Sequence, residues 1–379
     1  MPSAGSEPSS LSERIRLEIE SAGPLSFARF MELALYDPSG GYYSRGPERL
    51  GPRGDFFTAS DAGHGFGRSI ARQIIDIDRK VGPLDPFHVL EFGAGRGLLA
   101  RDVLDALGEL DRGLAARLRY VMVDRSAAMR DAARTRAPEA TALAPEELRG
   151  PCRGCVLAVE LFDALPVHRV KRRGEKLLEL FVGTDESGRL VEVEGVPAPD
   201  VAAWASRYGA AAADGSEAEV ALALGPQLDL LQSALEAGII LIVDYGYPAA
   251  ELYGPERRRG TLLAYRGHST NEELLSRVGE QDLTAHVNFT ALEERAEQLG
   301  LTWLGLTTQD RFLVANGILE QFEQKDREQA YDPGRIKQRM QALQLIHPMG
   351  MGRAFKFLML SKGFDPPPTL AGMTDPFAR

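Results

Sequence analysis

The chain has 379 residues, of which 44% are hydrophobic, and a formal net charge of −10. The negative charge disfavours a nucleic-acid partner, because proteins that bind nucleic acids usually present a basic surface. No apolar run reaches the roughly 20 residues needed to cross a membrane, and the N-terminus lacks the basic start and apolar core of a secretory signal. We therefore expect a cytoplasmic protein with neither a nucleic acid nor a membrane as its partner.

The first eighty residues are predicted to form a helical cap after a short tail. Residues 1–10 are rich in Ser, Gly and Pro and are expected to be disordered. Residues 11–80 would hold the cap, with one amphipathic helix starting at Leu11 and a second starting at Ser26, which caps it. An apolar face on this cap either packs internally or forms a homodimer, and the sequence leaves both alternatives open.

From His88 onward, short apolar strands alternate with helices, which is typical of a mostly parallel sheet covered on both faces. An insertion of about seventy residues follows the fourth strand and is longer than the loops usual in such a sheet. The predicted division is a domain over residues 81–362, with the insertion at 168–236 and a hairpin inside it, followed by a loose tail over 363–379. The last strand, which reads FKFLML, is expected to be antiparallel.

The first strand leads into a glycine loop in the stretch VLEFGAGRGLL, with Gly93, Gly95 and Gly97 at alternate positions. A dinucleotide site has the pattern G-x-G-x-x-G, and its last glycine position is Leu98 here, which disfavours a nicotinamide oxidoreductase. Asp124 ends the next strand, where a carboxylate can accept hydrogen bonds from ribose hydroxyls in either class of cofactor site.

With Glu91 in front of it, the loop reads ExGxGxG and resembles motif I of the class I S-adenosyl-L-methionine (SAM) methyltransferases. The resemblance implies a Rossmann-like fold with a seven-stranded, mostly parallel sheet. It also implies that SAM is the cofactor, held by Glu91, by the three glycines and by Asp124 on the second strand.

The fourth strand runs into ELFDALP, which places Glu160 and Asp163 at the predicted ligand edge of the sheet. Two carboxylates suit a cationic nitrogen as methyl acceptor, and guanidinium best, because its N–H groups pair with carboxylate oxygens as a fork. Such a carboxylate can hold the attacking nitrogen and accept its proton. The alternative for Asp163 is that it caps a following helix.

Several blocks together resemble the MidA-like methyltransferase family, whose mitochondrial members dimethylate an arginine of a respiratory complex I subunit. The blocks are PLSFARFMELALYDPSGGYY, GDFFTAS, LEFGAGRG, ELFDALPVHRV, VDYGY, DLTAHVNF and HPMGMGRAFKF. The resemblance implies that Glu160 and Asp163 lie at the acceptor and that the GDFFT segment, with Thr58, folds over SAM. It also implies that Tyr42 and Tyr43 lie near the substrate entrance.

The chain departs from the family pattern at three places, all near the expected pocket: residues 59–61 read Ala-Ser-Asp, Val159 precedes Glu160, and His286 replaces an acid. These changes leave the acceptor open between a protein arginine and a small metabolite, and a SAM-binding assembly factor without turnover is a third alternative. Asp244, after the fifth strand, either lines the pocket or bonds to loop backbone. His347 either approaches the substrate or has a structural role.

The two cysteines form the stretch PCRGC, and no second pair accompanies them. Because a structural zinc site normally needs four ligands, we expect two reduced thiols and no metal.

Overall fold

The computed structural model describes residues 10–46, 64–267, 269–320 and 333–377. The helices, in chain order, are α1 (Leu11–Ala22), α2 (Phe27–Tyr36), α3 (His64–Val81), α4 (Leu98–Leu110), α5 (Arg112–Arg117), α6 (Ala127–Arg136), α7 (Pro199–Tyr208), α8 (Leu224–Ser233), α9 (Ala249–Leu252), α10 (Phe289–Gln298), α11 (Gln309–Ala315), α12 (Pro333–Ile346) and α13 (Met351–Ala354). The strands are β1 (Leu25–Ser26), β2 (Phe87–Phe92), β3 (Leu118–Val123), β4 (Thr141–Leu143), β5 (Cys152–Val159), β6 (His168–Arg173), β7 (Lys176–Thr184), β8 (Leu190–Gly195), β9 (Glu217–Val220), β10 (Leu235–Tyr247), β11 (Leu263–Arg266), β12 (Ser269–Asn271), β13 (Asp282–Thr284), β14 (Val287–Asn288), β15 (Thr302–Thr308) and β16 (Phe355–Lys362). None of the described helices combines the length and the hydropathy that a membrane span requires.

The described chain divides into two units, each built from segments that are distant in sequence. The first unit contains residues 10–46, 163–226 and 247–291, and the second contains residues 64–162, 227–246 and 292–377, apart from the residues that are not described.

The second unit is built on seven strands in the order β15-β16-β10-β5-β2-β3-β4. The strands from β10 to β4 are parallel, whereas β16 runs antiparallel to both of its neighbours, β10 and β15. In this register Leu90 of β2 lies opposite Val156 of β5, which in turn lies opposite Ile240 of β10. The middle residues of β5 and β10 are apolar and buried, as expected for parallel strands that are covered on both faces. The predicted seven-stranded, mostly parallel Rossmann-like sheet is confirmed.

Helix α3 belongs to this second unit, although the sequence places residues 64–80 in the N-terminal cap. Its residues Phe66, Ile70 and Ile74 share one core with the strand residues Val89 and Leu241. Burial of each such side chain contributes about 1.5–3 kcal/mol. This apolar stripe assigns the helix to the sheet rather than to the cap.

The C-terminal segment, which the sequence predicts to be loose, packs against α3 up to residue 373. Leu370 is buried. The N–H of Ala371 donates to Asp76 at 2.8 Å and that of Gly372 donates to Gln73 at 2.8 Å. The Pro-rich composition of this segment gives no sign of the buried Leu370 or of the two backbone hydrogen bonds to α3.

The first unit contains a sheet in the order β1-β7-β6-β9, with β8 on β7, and a smaller sheet in the order β12-β11-β13. The predicted insertion supplies β6 to β9, and its hairpin forms as expected, with Phe181 opposite Val193. Residues 247–291, which the sequence analysis assigns to the main domain, also belong to this unit. Ile15 of α1 and Phe30 of α2 are fully buried within the chain, so the apolar face of the cap packs internally.

Candidate active site

The glycine loop joins β2 to α4 at the carboxyl edge of the parallel strands. All three glycines have positive φ: 71° at Gly93, 51° at Gly95 and 71° at Gly97. An L side chain in this region costs about 1–2 kcal/mol, which explains the choice of residue. The N–H of Gly93 donates to the carbonyl of Val123 at 2.8 Å, so the loop is anchored to the end of β3.

The space around the loop separates its glycines into two kinds. A Cβ at Gly97 would lie 3.0 Å from Ala133 of α6 and 3.2 Å from the Met122 sulfur, and one at Gly93 would lie 3.0 Å from Leu161 Cδ1. At Gly95 the nearest described atom is the Gly93 carbonyl oxygen, 4.0 Å away. Two glycines therefore allow close packing, and the third leaves an open surface that fits the close approach of a cofactor.

Asp124 follows β3 and faces this loop. Its Oδ2 accepts the N–H of Gly95 at 2.9 Å, and its Oδ1 accepts the N–H of Ser126 at 2.8 Å. Burial raises the pKa of Asp124, and these two N–H groups act in the opposite direction. Each carboxylate oxygen keeps a further lone pair, so the group can still accept hydrogen bonds from two ribose hydroxyls.

Glu91, predicted to bind the cofactor, lies in the interior of the sheet. The hydroxyl of Tyr120 on β3 donates to its Oε2 at 2.7 Å. Burial, the largest effect, raises the pKa of Glu91 to about 8. Its described contact therefore joins β2 to β3 beneath the glycine loop. Thr58, the remaining predicted cofactor residue, lies outside the described residues, as do the departures at 59–61.

Glu160 is the first residue after β5 and has an unusual backbone. Its φ is 52°, one of three positive values found for non-glycine residues in the described part of the chain. Its N–H donates to the carbonyl of Val243 at 2.9 Å, one residue beyond the β5–β10 ladder. A non-glycine residue in this conformation costs about 1–3 kcal/mol, and such residues cluster at functional sites. The side chain is half-buried.

Asp244 is fully buried near the end of β10 and bonds to the loop that contains Glu160. Its Oδ2 accepts the N–H groups of Leu161 at 3.1 Å and Phe162 at 2.8 Å, and its Oδ1 accepts that of Tyr245 at 2.9 Å. The sequence leaves two roles open for Asp244, lining the pocket and bonding to loop backbone. The structure shows the hydrogen bonds to loop backbone.

Asp163 is buried in the first unit, within a turn. The next regular element is β6, a strand, so Asp163 does not cap a helix. Its carbonyl accepts the N–H of Ala285 at 2.9 Å, and the neighbouring carbonyl of Ala164 accepts the hydroxyl of Tyr36 at 2.8 Å. The turn is thus held from two sides.

The two tyrosines predicted near the entrance have different surroundings in the first unit. Tyr42 is buried in the core. Tyr43 donates its hydroxyl to both oxygens of buried Asp282, at 3.0 and 3.1 Å, and stacks on Tyr36 with ring centroids 5.5 Å apart. Burial, followed by the nearby Asp282, raises the pKa of Tyr43 well above its usual range, so the hydroxyl stays protonated.

Asp282 is the first residue of the DLTAHVNF block, and the sequence analysis does not identify it as a candidate site residue. Burial, followed by Asp163 and Asp282, raises the pKa of Tyr265, which places the two carboxylates in one electrostatic neighbourhood. The available signal was an acid inside a family block, and the sequence alone does not indicate that this acid is buried.

The remaining predicted positions lie in different surroundings. His347 is exposed in a turn, and its Nδ1 accepts the N–H of Met349 at 3.2 Å. His286 donates its backbone N–H to Thr261 and lies against the ring of Tyr247. Burial raises the pKa of Cys152 to about 11, and that of buried Cys155 still further. The described residues contain no group of three side chains suited to a metal.

Comparison with known proteins gives a consistent result. Residues 69–307 match a family model described as an S-adenosyl-L-methionine-dependent methyltransferase. The chain is 29% identical to a Drosophila melanogaster homologue of the mitochondrial protein arginine methyltransferase NDUFAF7, over 93% of this chain and 85% of that protein. It is 27% identical to NDUFAF7 of Homo sapiens, over 94% and 86%. A methyltransferase-like protein of Burkholderia thailandensis, solved with S-adenosyl-homocysteine bound, is 30% identical, with a TM-score of 0.85 and coverage of 98% of this chain and 97% of that one.

Proposed function

Because this chain belongs to the family of S-adenosyl-L-methionine-dependent methyltransferases, we propose that it methylates an arginine side chain of a protein. The chain is a SAM-dependent methyltransferase, as the sequence predicts. The arginine acceptor and the roles of individual residues are the proposal. The names of the relatives support arginine, since both are described as protein arginine methyltransferases. Those relatives are also described as mitochondrial, so a cytoplasmic location stays a prediction.

The residues around the glycine loop fit the cofactor. At Gly95 the described residues leave room for a cofactor to approach the backbone of the glycine loop. Beside this loop, Asp124 has two carboxylate oxygens that are fixed in place by the N–H groups of Gly95 and Ser126. When bound, SAM supplies an electrophilic methyl group for in-line displacement, a reaction whose rate depends strongly on how the nucleophile is positioned. The protein's task is therefore to hold one nitrogen in line and to take away its proton.

The observation that carries the proposal is the carboxylate of Glu160 on a fixed, strained backbone directly after β5, the strand next to β2, which leads into the glycine loop. In the proposed reaction the carboxylate accepts an N–H of the guanidinium, which orients the nitrogen. As the nitrogen–methyl bond forms, the methyl–sulfur bond of SAM would break and S-adenosyl-homocysteine would leave; the nitrogen loses its proton to Glu160, which later releases it to water. Asp163 lies three residues later in the chain, and the sequence predicts that its carboxylate also binds the cationic acceptor.

A small metabolite as acceptor is the second candidate, because Val159 and His286 depart from the family pattern. One experiment distinguishes a protein acceptor from a small-molecule acceptor. Purified protein is incubated with methyl-labelled SAM and a lysate of the source organism, and the products are separated into protein and small molecules. Acid hydrolysis of the labelled protein band then identifies the modified amino acid.

The matched variants are Glu160→Gln and Glu186→Gln, which make the same chemical change after β5 and in an exposed hairpin turn. We expect labelled methylarginine with wild type and with Glu186→Gln, and at least a hundredfold less with Glu160→Gln at unchanged SAM affinity. Label confined to small molecules would move the acceptor to a metabolite. SAM binding without any label would favour the assembly factor and contradict the proposal.

A further inference from the structure

The loop formed by Glu160, Leu161 and Phe162, here called the acceptor loop, has no regular secondary structure of its own. Its backbone N–H groups are nevertheless all bonded to residues near the carboxyl end of β10. The N–H of Glu160 donates to the Val243 carbonyl, and those of Leu161 and Phe162 donate to one oxygen of Asp244. One buried side chain thus supplies the acceptor for two consecutive amides.

These two hydrogen bonds from the Leu161 and Phe162 amides to Asp244, here called the clamp, explain how Glu160 keeps a positive φ without being glycine. Two donors that converge on a single carboxylate oxygen require the amides of Leu161 and Phe162 to point the same way. That arrangement turns the chain sharply just after Glu160, and an isolated glutamate would relax to a negative φ. Strained conformations of this kind persist only where the surrounding contacts over-determine them.

The same loop also touches the cofactor side of the second unit. A Cβ at Gly93 would lie 3.0 Å from Leu161 Cδ1, so the Leu161 side chain rests directly on the glycine loop. A change in the acceptor loop would therefore move a group that packs on the first glycine. The clamp consequently fixes two things together, the direction of the Glu160 side chain and the packing of Leu161.

We infer that Asp244 is a positioning residue for methyl transfer, which fixes the acceptor loop so that Glu160 points its carboxylate at the acceptor nitrogen. The inference deepens the proposed function and rests on it for the role of Glu160. It assigns Asp244 no contact with substrate. Its Oδ2 serves the two amide donors, because one carboxylate oxygen has two lone pairs and can accept both N–H groups.

The test uses Asp244→Asn, which keeps the size of the side chain and replaces one acceptor oxygen by an NH2 group. Its matched control is Glu219→Gln in the first unit, another buried carboxylate that accepts backbone N–H groups, from Thr261 and Leu262. Both changes are made alone and together with Glu160→Gln. Four quantities are measured on the full chain: label transfer from SAM into lysate protein, SAM affinity by calorimetry, the free energy of unfolding, and hydrogen exchange of the acceptor-loop amides.

For Asp244→Asn we expect a ten- to hundredfold lower transfer rate, SAM affinity within about threefold of wild type, and at least tenfold faster exchange at Leu161 and Phe162. Because Asp244 acts through Glu160, the double variant should be as slow as Glu160→Gln alone, within about twofold. Glu219→Gln should leave acceptor-loop exchange unchanged, and its effect on the rate should multiply with that of Glu160→Gln.

Multiplicative effects of Asp244→Asn and Glu160→Gln, or unchanged exchange of the two amides, would overturn the inference. A Glu160→Gln variant that transfers label normally would overturn it as well, while leaving the enzyme activity standing. If wild type transfers no label, the proposed function fails, and hydrogen exchange alone decides whether Asp244 fixes the acceptor loop.

Discussion

Replacing Gly95 by alanine should separate the cost of backbone strain from the loss of cofactor space. Gly95 has φ of 51°, and the nearest atom of the described residues to its Cβ position is the Gly93 carbonyl oxygen, 4.0 Å away. Gly150 has φ of 68° and no described atom within 4 Å of its Cβ position, so Gly150→Ala is a control with similar strain and no neighbours. Each substitution should lower the free energy of unfolding by about 1–2 kcal/mol, since that is the penalty of the left-handed region for an L residue.

Only the change at Gly95 should weaken the binding of SAM. A methyl group forced into a filled site costs about 1–3 kcal/mol, which corresponds to an increase in Kd of about 5- to 150-fold. Calorimetric titration with SAM and urea denaturation of both variants give the two quantities separately. Equal SAM affinity for Gly95→Ala and Gly150→Ala would refute the assignment of the open surface at Gly95 to the cofactor.

Three further predictions concern buried or half-buried side chains. The pKa of Glu91 in the folded protein is about 8, above its ordinary value of 4.5, so its contribution to stability is complete below pH 4.5 and is lost as the pH rises to 8. The free energy of unfolding should therefore fall by up to about 1.4 kcal/mol per pH unit between pH 5 and 8, and Glu91→Gln should flatten that slope in urea titrations; an equal slope in both proteins would contradict this. Tyr43→Phe removes a hydrogen-bond donor from the buried carboxylate of Asp282 and should destabilise the protein by about 1–3 kcal/mol in urea denaturation, whereas an unchanged free energy of unfolding would contradict a stabilising role for this bond. At pH 8, a Cys152 thiol with a pKa of about 11 is only about 0.1% thiolate, so the native protein should react with Ellman's reagent far more slowly than free cysteine, and rapid labelling of the native protein would count against the burial of this thiol.

The parallel sheet and its glycine loop could be predicted because their signals are local. The apolar run from Ile239 to Val243 is short and rich in β-branched residues, which favours a strand buried on both faces. Three alternate glycines indicate a loop with an unusual backbone conformation. The same local reading identified Glu160 and Asp163 as candidates, since both follow the fourth strand of the predicted sheet.

The partners of these residues could not be predicted, because they come from distant segments. Asp244 is about eighty residues beyond the acceptor loop, and only the parallel register of β5 and β10 brings them together. Likewise, Asp282 meets Tyr43 across most of the chain length. The prediction of a loose tail does not hold up to residue 373, because the Pro-rich composition dominates the local pattern and gives no sign of the buried contact of Leu370.

The interleaving of the two units has a consequence for the order of events during synthesis. Leu25 of β1 pairs with Val182 of β7, and the first unit is completed only with residues 247–291. A ribosome adds about 5–20 residues per second, so the two N-terminal helices wait roughly 8–30 s for their first sheet partner. During that time Ile15 and Phe30 have no finished core to enter. The apolar faces of these helices therefore stay exposed on the nascent chain, and fragments that stop before β7 should aggregate more readily than the complete chain.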